Sequence, residues 1–246
     1  MVPIFVVLEG VDRCGKTSQA HLLRRRLNLL GLPASAYGTP DRRTAAGELA
    51  GRLLRGELLL VEDGGHYQTS EVKRYEALAL QCLFTCCRYE VAARVRRDLG
   101  SGTSVACVRW WPSAVSYAGE DGLDPEAVRE HSSFLPEPDL LVLLDADPAV
   151  VAGRLDPRER YEASLDVQSR LALSYRRLWA EQAGVLPGKW ATVDVGLAPD
   201  AVAEGVWGAV CRLRPELAEP GSRLVRKIQL SSLYGKIGTP GEGEEG

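Results

Sequence analysis

Gly10-Val11-Asp12-Arg13-Cys14-Gly15-Lys16-Thr17 satisfies G-x-x-x-x-G-K-[ST] at every position. That spacing suits phosphate chemistry. Glycines let a loop turn its backbone N–H groups inward onto phosphate oxygens. A helix starting at the end of the loop adds the positive end of its dipole. In such a loop Lys16 reaches the β and γ phosphates of a nucleoside triphosphate, and Thr17 offers its hydroxyl to Mg²⁺.

The flanking elements fit that use. Ile4 to Leu8 is a short apolar run rich in β-branched residues, and a helical pattern follows from Lys16 to about Leu30. Strand, glycine loop and helix open a parallel α/β fold. Further strands are expected at Ala34–Tyr37, Ser104–Arg109, Leu140–Leu144 and Trp190–Val195. Helices are expected at Thr44–Leu54, Arg74–Leu99, Arg160–Ala183 and Asp200–Leu213, with Asp147 and Pro148 reading as an N-cap and first helical residue. Five strands alternating with helices predict an α/β doubly wound parallel sheet with helices on both faces. Residues 1–214 form one expected domain. Residues 215–246, with Pro220, Gly221 and the Gly-Glu end, read as a flexible tail. Within it Leu224, Val225 and Ile228 have the spacing of one apolar helical face, which leaves a partner-docking helix open.

Composition narrows the partners. The 246 residues suit one sizeable core. The 30 basic side chains nearly balance the 33 acidic ones, so neither nucleic acid nor an anionic membrane is expected as the main partner. No run approaches the length of a membrane span and the N-terminus lacks a basic export region, so a cytoplasmic protein is expected. The six cysteines show no disulfide spacing. Cys82 and Cys86 share a helical face, which admits a metal pair, but free cysteine is commonly a small core hydrophobe.

The phosphate loop carries more than its pattern requires. Leu8-Glu9-Gly10-Val11-Asp12-Arg13-Cys14-Gly15-Lys16-Thr17 resembles the start of thymidylate kinases of the eukaryotic and viral type, which place an acidic and then a basic residue inside the loop. Five more segments follow in order. Thr39-Pro40-Asp41-Arg42 resembles the family's phenylalanine-proline-acid-arginine. Leu83 to Glu90 resembles its leucine-phenylalanine … arginine-tryptophan-glutamate helix. Arg109-Trp110 stands where the family has arginine-tyrosine, Leu135 to Leu140 matches the lead into the fourth strand, and Arg158 to Glu162 is similar to the lid.

The resemblance implies a P-loop kinase fold with a short lid, and transfer of the ATP γ-phosphoryl to dTMP with Mg²⁺ in a homodimer, for which the Arg74–Leu99 helix is a plausible interface. It implies Arg13, Lys16 and Arg109 as catalytic residues. It implies Gly10 to Thr17 around ATP, with Thr17 toward the metal. Arg42 and Arg109 would take the acceptor phosphate. Phe84 would stack on thymine and Arg88 would bond a base carbonyl. Asp12 would accept from the sugar 3′-hydroxyl and Tyr117 would disfavour a 2′-hydroxyl. Arg154, Arg158 and Arg160 would serve the lid. The sequence departs from the family at Val108, where an aspartate is usual, at Thr39 and at Tyr89. Trp110 and Trp111 are expected to add bulk near the acceptor pocket. Without the aspartate's carboxylate, either Thr17, water and the phosphates hold Mg²⁺, or Glu9 or Asp41 compensates. Three other readings stay open: a deoxynucleoside kinase, a kinase for another nucleoside monophosphate, and a nucleotide-binding regulator without transfer.

Overall fold

The computed structural model describes residues 2–58, 70–186 and 188–218. Five parallel strands form one sheet in the order β2-β3-β1-β4-β5. They are β1 (Phe5–Glu9), β2 (Ala34–Gly38), β3 (Ser104–Val108), β4 (Leu140–Asp145) and β5 (Trp190–Asp194). β1 is central, with Leu8 opposite both Val108 on β3 and Val142 on β4. Every residue of β1 and β3 is buried. This is why Phe5 to Leu8 and Val105 to Val108 read as unbroken apolar runs and not as alternating ones.

Eight α-helices connect the strands among the described residues: α1 (Lys16–Leu29), α2 (Ala45–Leu54), α3 (Ser70–Gly100), α4 (Trp111–Glu120), α5 (Pro125–Glu130), α6 (Pro148–Val151), α7 (Leu165–Val185) and α8 (Pro199–Leu213). α1 packs on α8, and α4 packs on both α5 and α7. The expected doubly wound sheet is the one observed, with strand boundaries shifted by about one residue. Side-chain caps set several helix starts. Thr44 accepts from the Gly47 N–H, Asp147 from Ala149 and Ser164 from Asp166.

Three differences from the sequence reading bear on the site. First, α7 begins at Leu165 and not at Arg160, because Ser164 caps it; the residues before the cap form a turn that buries Tyr161 and leaves Arg160 exposed. Second, α4 and α5 carry no helix in the sequence reading, although Asp124-Pro125 repeats the cap-and-proline signal of Asp147-Pro148. Third, Trp110 and Trp111 do not crowd a pocket. Trp110 is fully buried, edge-on to Phe5, and donates from its indole N–H to the Pro136 carbonyl. Trp111 packs edge-on to Trp190 with Arg129 over its ring. Both are core residues.

Beyond α8 a short 3-10 turn, Pro215–Leu217, packs Leu217 into the core. The apolar helical face at Leu224, Val225 and Ile228 lies outside the described residues. The six cysteines are free, with Cys82 and Cys86 exposed. Among the described residues no group of His, Cys, Asp or Glu is arranged to hold a metal, and no helix is long and apolar enough to cross a membrane.

Candidate active site

The phosphate loop follows the C-terminal end of β1, the central strand, where open α/β sheets place their ligands. Gly10 has φ 136° and a Cβ there would sit 2.5 Å from the Leu144 carbonyl oxygen, so only glycine fits. Gly15, at φ 93°, caps α1. Arg13 holds a left-handed backbone at φ 58° without being glycine, and the strand-end residue Arg109 does the same at φ 65°. Such conformations are uncommon and cluster at functional sites.

Lys16 is buried. Its ammonium group donates to the Gly10 carbonyl at 3.0 Å and the Val11 carbonyl at 2.5 Å. Burial, and then the nearby Arg109 charge, lower its pKa. Thr17 is exposed at the start of α1.

Arg109 joins the loop to the neighbouring strand. Its Nη2 donates to Asp12 Oδ1 and to the Tyr117 hydroxyl at 2.9 Å, and its Nη1 to Ser113 Oγ at 3.2 Å. Tyr117 in turn donates to Asp12 Oδ2 at 2.8 Å, and Gln168 Nε2 to the same oxygen at 3.1 Å. Burial alone would raise the Asp12 carboxyl, but Arg109, Lys16 and these hydrogen bonds hold it below its ordinary value. Beneath lies Glu9, fully buried, which accepts from the Trp110 N–H and the Ser113 hydroxyl, both at 2.6 Å. Burial pushes its pKa up despite those bonds. Glu9 therefore fixes the backbone that bears Arg109. Asp41 is likewise committed, accepting from Arg43 and Arg94 at 2.8 to 3.1 Å. Neither carboxylate is free to stand in for the one absent at Val108.

Beside the loop opens a pocket enclosing about 580 Å³, including its solvent-facing mouth. Asp12, Arg109 and Tyr117 line one end, and Phe84 and Arg88 of α3 lie on its wall. Phe84 and Arg88 share a helical face, as their spacing implies. Arg88 is buried; its Nη2 donates to Thr85 Oγ1 at 2.8 Å, and its Nε has no protein partner. Burial lowers its pKa to about 10.

The segment from Asp156 to Glu162 brings two carboxylates, Glu159 and Glu162, to the pocket. Arg13 Nε donates to both Glu162 oxygens, at 3.0 and 2.8 Å, and Arg42 Nη2 donates to Glu159 at 2.8 Å. Arg154 is exposed on a 3-10 turn. Arg158 pairs with Asp156 at the surface, and Arg160 lies 3.7 Å from Asp121. None of these three lines the pocket, whereas Glu159, Tyr161 and Glu162 do.

Of the residues the sequence points to, Asp12, Phe84, Arg88, Arg109 and Tyr117 line the pocket, Lys16 lies in the adjoining loop, and Arg13 and Arg42 pair with glutamates of the pocket wall. Gln81, Ser113, Glu159, Glu162 and Gln168 have no role expected from sequence. The two glutamates carried a signal, since they alternate with Arg158, Arg160 and Tyr161 in one short segment. Gln168 carried none, because a glutamine in an amphipathic helix looks like any other.

The thymidylate kinase family model matches residues 8–204. The chain is 32% identical over 225 residues to a thymidylate kinase of Solidesulfovibrio magneticus, covering 85% of this chain and all of that one. It is 35% identical over 213 residues to one of Thermomicrobium roseum, covering 84% and 93%. A solved thymidylate kinase from Candida albicans superposes with a TM-score of 0.67 at 22% identity, covering 85% of this chain and 91% of that one.

Proposed function

The chain belongs to the thymidylate kinase family, an ATP-dependent kinase family that phosphorylates dTMP to dTDP, and from that premise we propose how its own residues perform the transfer. The observation that carries the proposal is that Arg109 lines the pocket, bonded to Asp12 of the phosphate loop, while Arg13 and Arg42 are held on Glu162 and Glu159, two carboxylates that line the same pocket.

The triphosphate lies on the backbone N–H groups of Gly10 to Thr17, over the N-terminus of α1. Lys16 exchanges its two loop carbonyls for the β and γ oxygens. The acceptor nucleotide enters the pocket with its base on Phe84 and a base carbonyl at Arg88. Its 3′-hydroxyl donates to Asp12, and Tyr117 fills the space a 2′-hydroxyl would need. Arg42 and Arg109 take its phosphate. One phosphate oxygen of dTMP attacks the γ phosphorus while the bond to the β-bridging oxygen breaks and ADP leaves. The nucleophile is already an anion, so no side chain has to remove a proton. Catalysis then rests on positioning and charge neutralisation, which arginines supply. Arg13 leaves Glu162 to meet the γ-phosphoryl charge, and Arg42 leaves Glu159 for the acceptor phosphate. Each carboxylate holds its arginine folded over the site until phosphate replaces it.

The family generally needs a divalent metal. The donor set fits Mg²⁺, which keeps several waters and takes few protein ligands: Thr17 supplies a hydroxyl beside the loop, and phosphates supply the rest. When bound, the ion neutralises phosphate charge. The exposed side chains of Tyr75 and Leu78 on α3 support a homodimer through that helix. Balanced charge supports a protein without nucleic acid or membrane as partner, in the cytoplasm.

A coupled ADP-release assay with ATP, Mg²⁺ and dTMP, dUMP, dGMP, dCMP or thymidine tests the reading. Preferred turnover of dTMP is expected. Phosphorylation of thymidine but not of dTMP would reassign the chain to nucleoside phosphorylation.

A further inference from the structure

Gln81 lies on α3 one turn before Phe84 and two turns before Arg88, and all three line the same pocket. Its side chain is almost wholly buried, with 1% of its surface exposed. Nε2 donates to Asp121 Oδ2 at 3.0 Å. The Tyr161 hydroxyl donates to that same oxygen at 2.8 Å, and Arg160 stands 3.7 Å from the other one. Asp121, facing three donors, acts as an acceptor, which fixes the amide of Gln81 with its N–H toward Asp121. Its carbonyl, Oε1, is then left buried with no hydrogen-bond partner among the described residues. A buried acceptor left unpaired is destabilising until a donor meets it.

Arg88 presents the opposite case. Thr85 donates its hydroxyl to the backbone carbonyl of Gln81 at 2.9 Å and accepts from Arg88 Nη2 at 2.8 Å, and the guanidinium Nε is left unpaired. The pocket thus carries one unsatisfied acceptor and one unsatisfied donor on a single helix. Their Cα atoms are about 10.5 Å apart along the axis at about 1.5 Å per residue, with Phe84 between them.

We propose that Gln81 is a base-specificity residue, its Oε1 accepting a hydrogen bond from the N3–H of thymine or uracil while Arg88 donates to the adjacent ring carbonyl. Thymine offers one ring donor beside a carbonyl acceptor, which complements the pair. Cytosine reverses the pattern, with an acceptor at N3 and an amine at C4, and meets a like group at both places. The proposal rests on the acceptor-pocket reading above.

The test compares dTMP with N3-methyl-dTMP, which lacks the N3–H and keeps both ring carbonyls, on the wild-type chain and on Gln81→Met. Wild-type kcat/KM should fall about tenfold or more from dTMP to the N3-methyl analogue. Gln81→Met should lose as much on dTMP and nothing further on the analogue. Equal losses on both ligands, or no loss on dTMP, would overturn the proposal. Should Gln81→Met fail to fold by circular dichroism, the wild-type comparison still decides: equal kcat/KM for the two ligands overturns it. A wild-type chain that turns over dTMP while failing these comparisons leaves the acceptor-pocket reading standing. A chain that neither binds nor turns over either ligand overturns both.

Discussion

Arg109, at the end of β3, donates from Nη2 to Asp12 in the phosphate loop, a residue 97 positions earlier. Its backbone is left-handed at φ 65°, a conformation that costs about 1–3 kcal/mol in a non-glycine residue. Glu9 holds the adjoining backbone through the Trp110 N–H, and the guanidinium fork also reaches Ser113 and Tyr117. Lysine has one charged nitrogen and no planar fork. Arg109→Lys should lower kcat by about 100-fold or more while the far-UV circular dichroism stays unchanged.

Arg13 and Arg42 are both folded onto lid carboxylates, yet the mechanism gives them different partners. Arg13→Ala should lower kcat by about 100-fold with little change in the KM for dTMP, because the γ-phosphoryl charge peaks in the transition state. Arg42→Ala should raise the KM for dTMP by about tenfold or more, because it holds an acceptor group present in ground and transition states alike. Steady-state kinetics on the two variants reads the split; the reverse assignment would exchange their roles.

Gly10→Ala places a methyl group 2.5 Å from the Leu144 carbonyl at a φ that alanine avoids. The loop must move or β4 must yield. Loss of ATP binding by calorimetry, with a melting temperature several degrees lower, is the expected outcome.

Asp41 shows what acid does to the scaffold. Hydrogen bonds from Arg43 outweigh burial and, with Arg94, hold its carboxyl well below the usual carboxylate range. A depressed folded-state pKa gives stability that is present above the unfolded value of about 3.9 and is lost as pH falls below it. Asp41→Asn should therefore destabilise the protein by about 1–3 kcal/mol at pH 7, with the gap to wild type closing below about pH 4. Urea denaturation at pH 7, at pH 3.5 and at pH 2.5 follows the gap as it narrows toward the depressed folded-state value.

Continuous apolar runs such as Leu140 to Leu144 declare buried parallel strands, and the glycine-lysine-threonine spacing declares the loop they carry. Phe84 and Arg88 were legible because helical periodicity puts them on one face. Trp110 and Trp111 misled because residues next to Arg109 in sequence look like residues next to it in the site; the turn at Arg109 sends both into the core. Gln81 was invisible for a different reason. Its meaning lies in one amide oxygen left without a partner, and pairing across α3, α4 and the lid has no periodic trace.

Transfer itself is the claim on which the rest depends. Incubating the purified chain with [γ-³²P]ATP, Mg²⁺ and dTMP, then separating the nucleotides, reads it without a coupling enzyme. Label in dTDP, absent when Lys16→Ala replaces the wild type, is the predicted result. Label retained in ATP, or released as inorganic phosphate alone while dTMP stays unmodified, would contradict it.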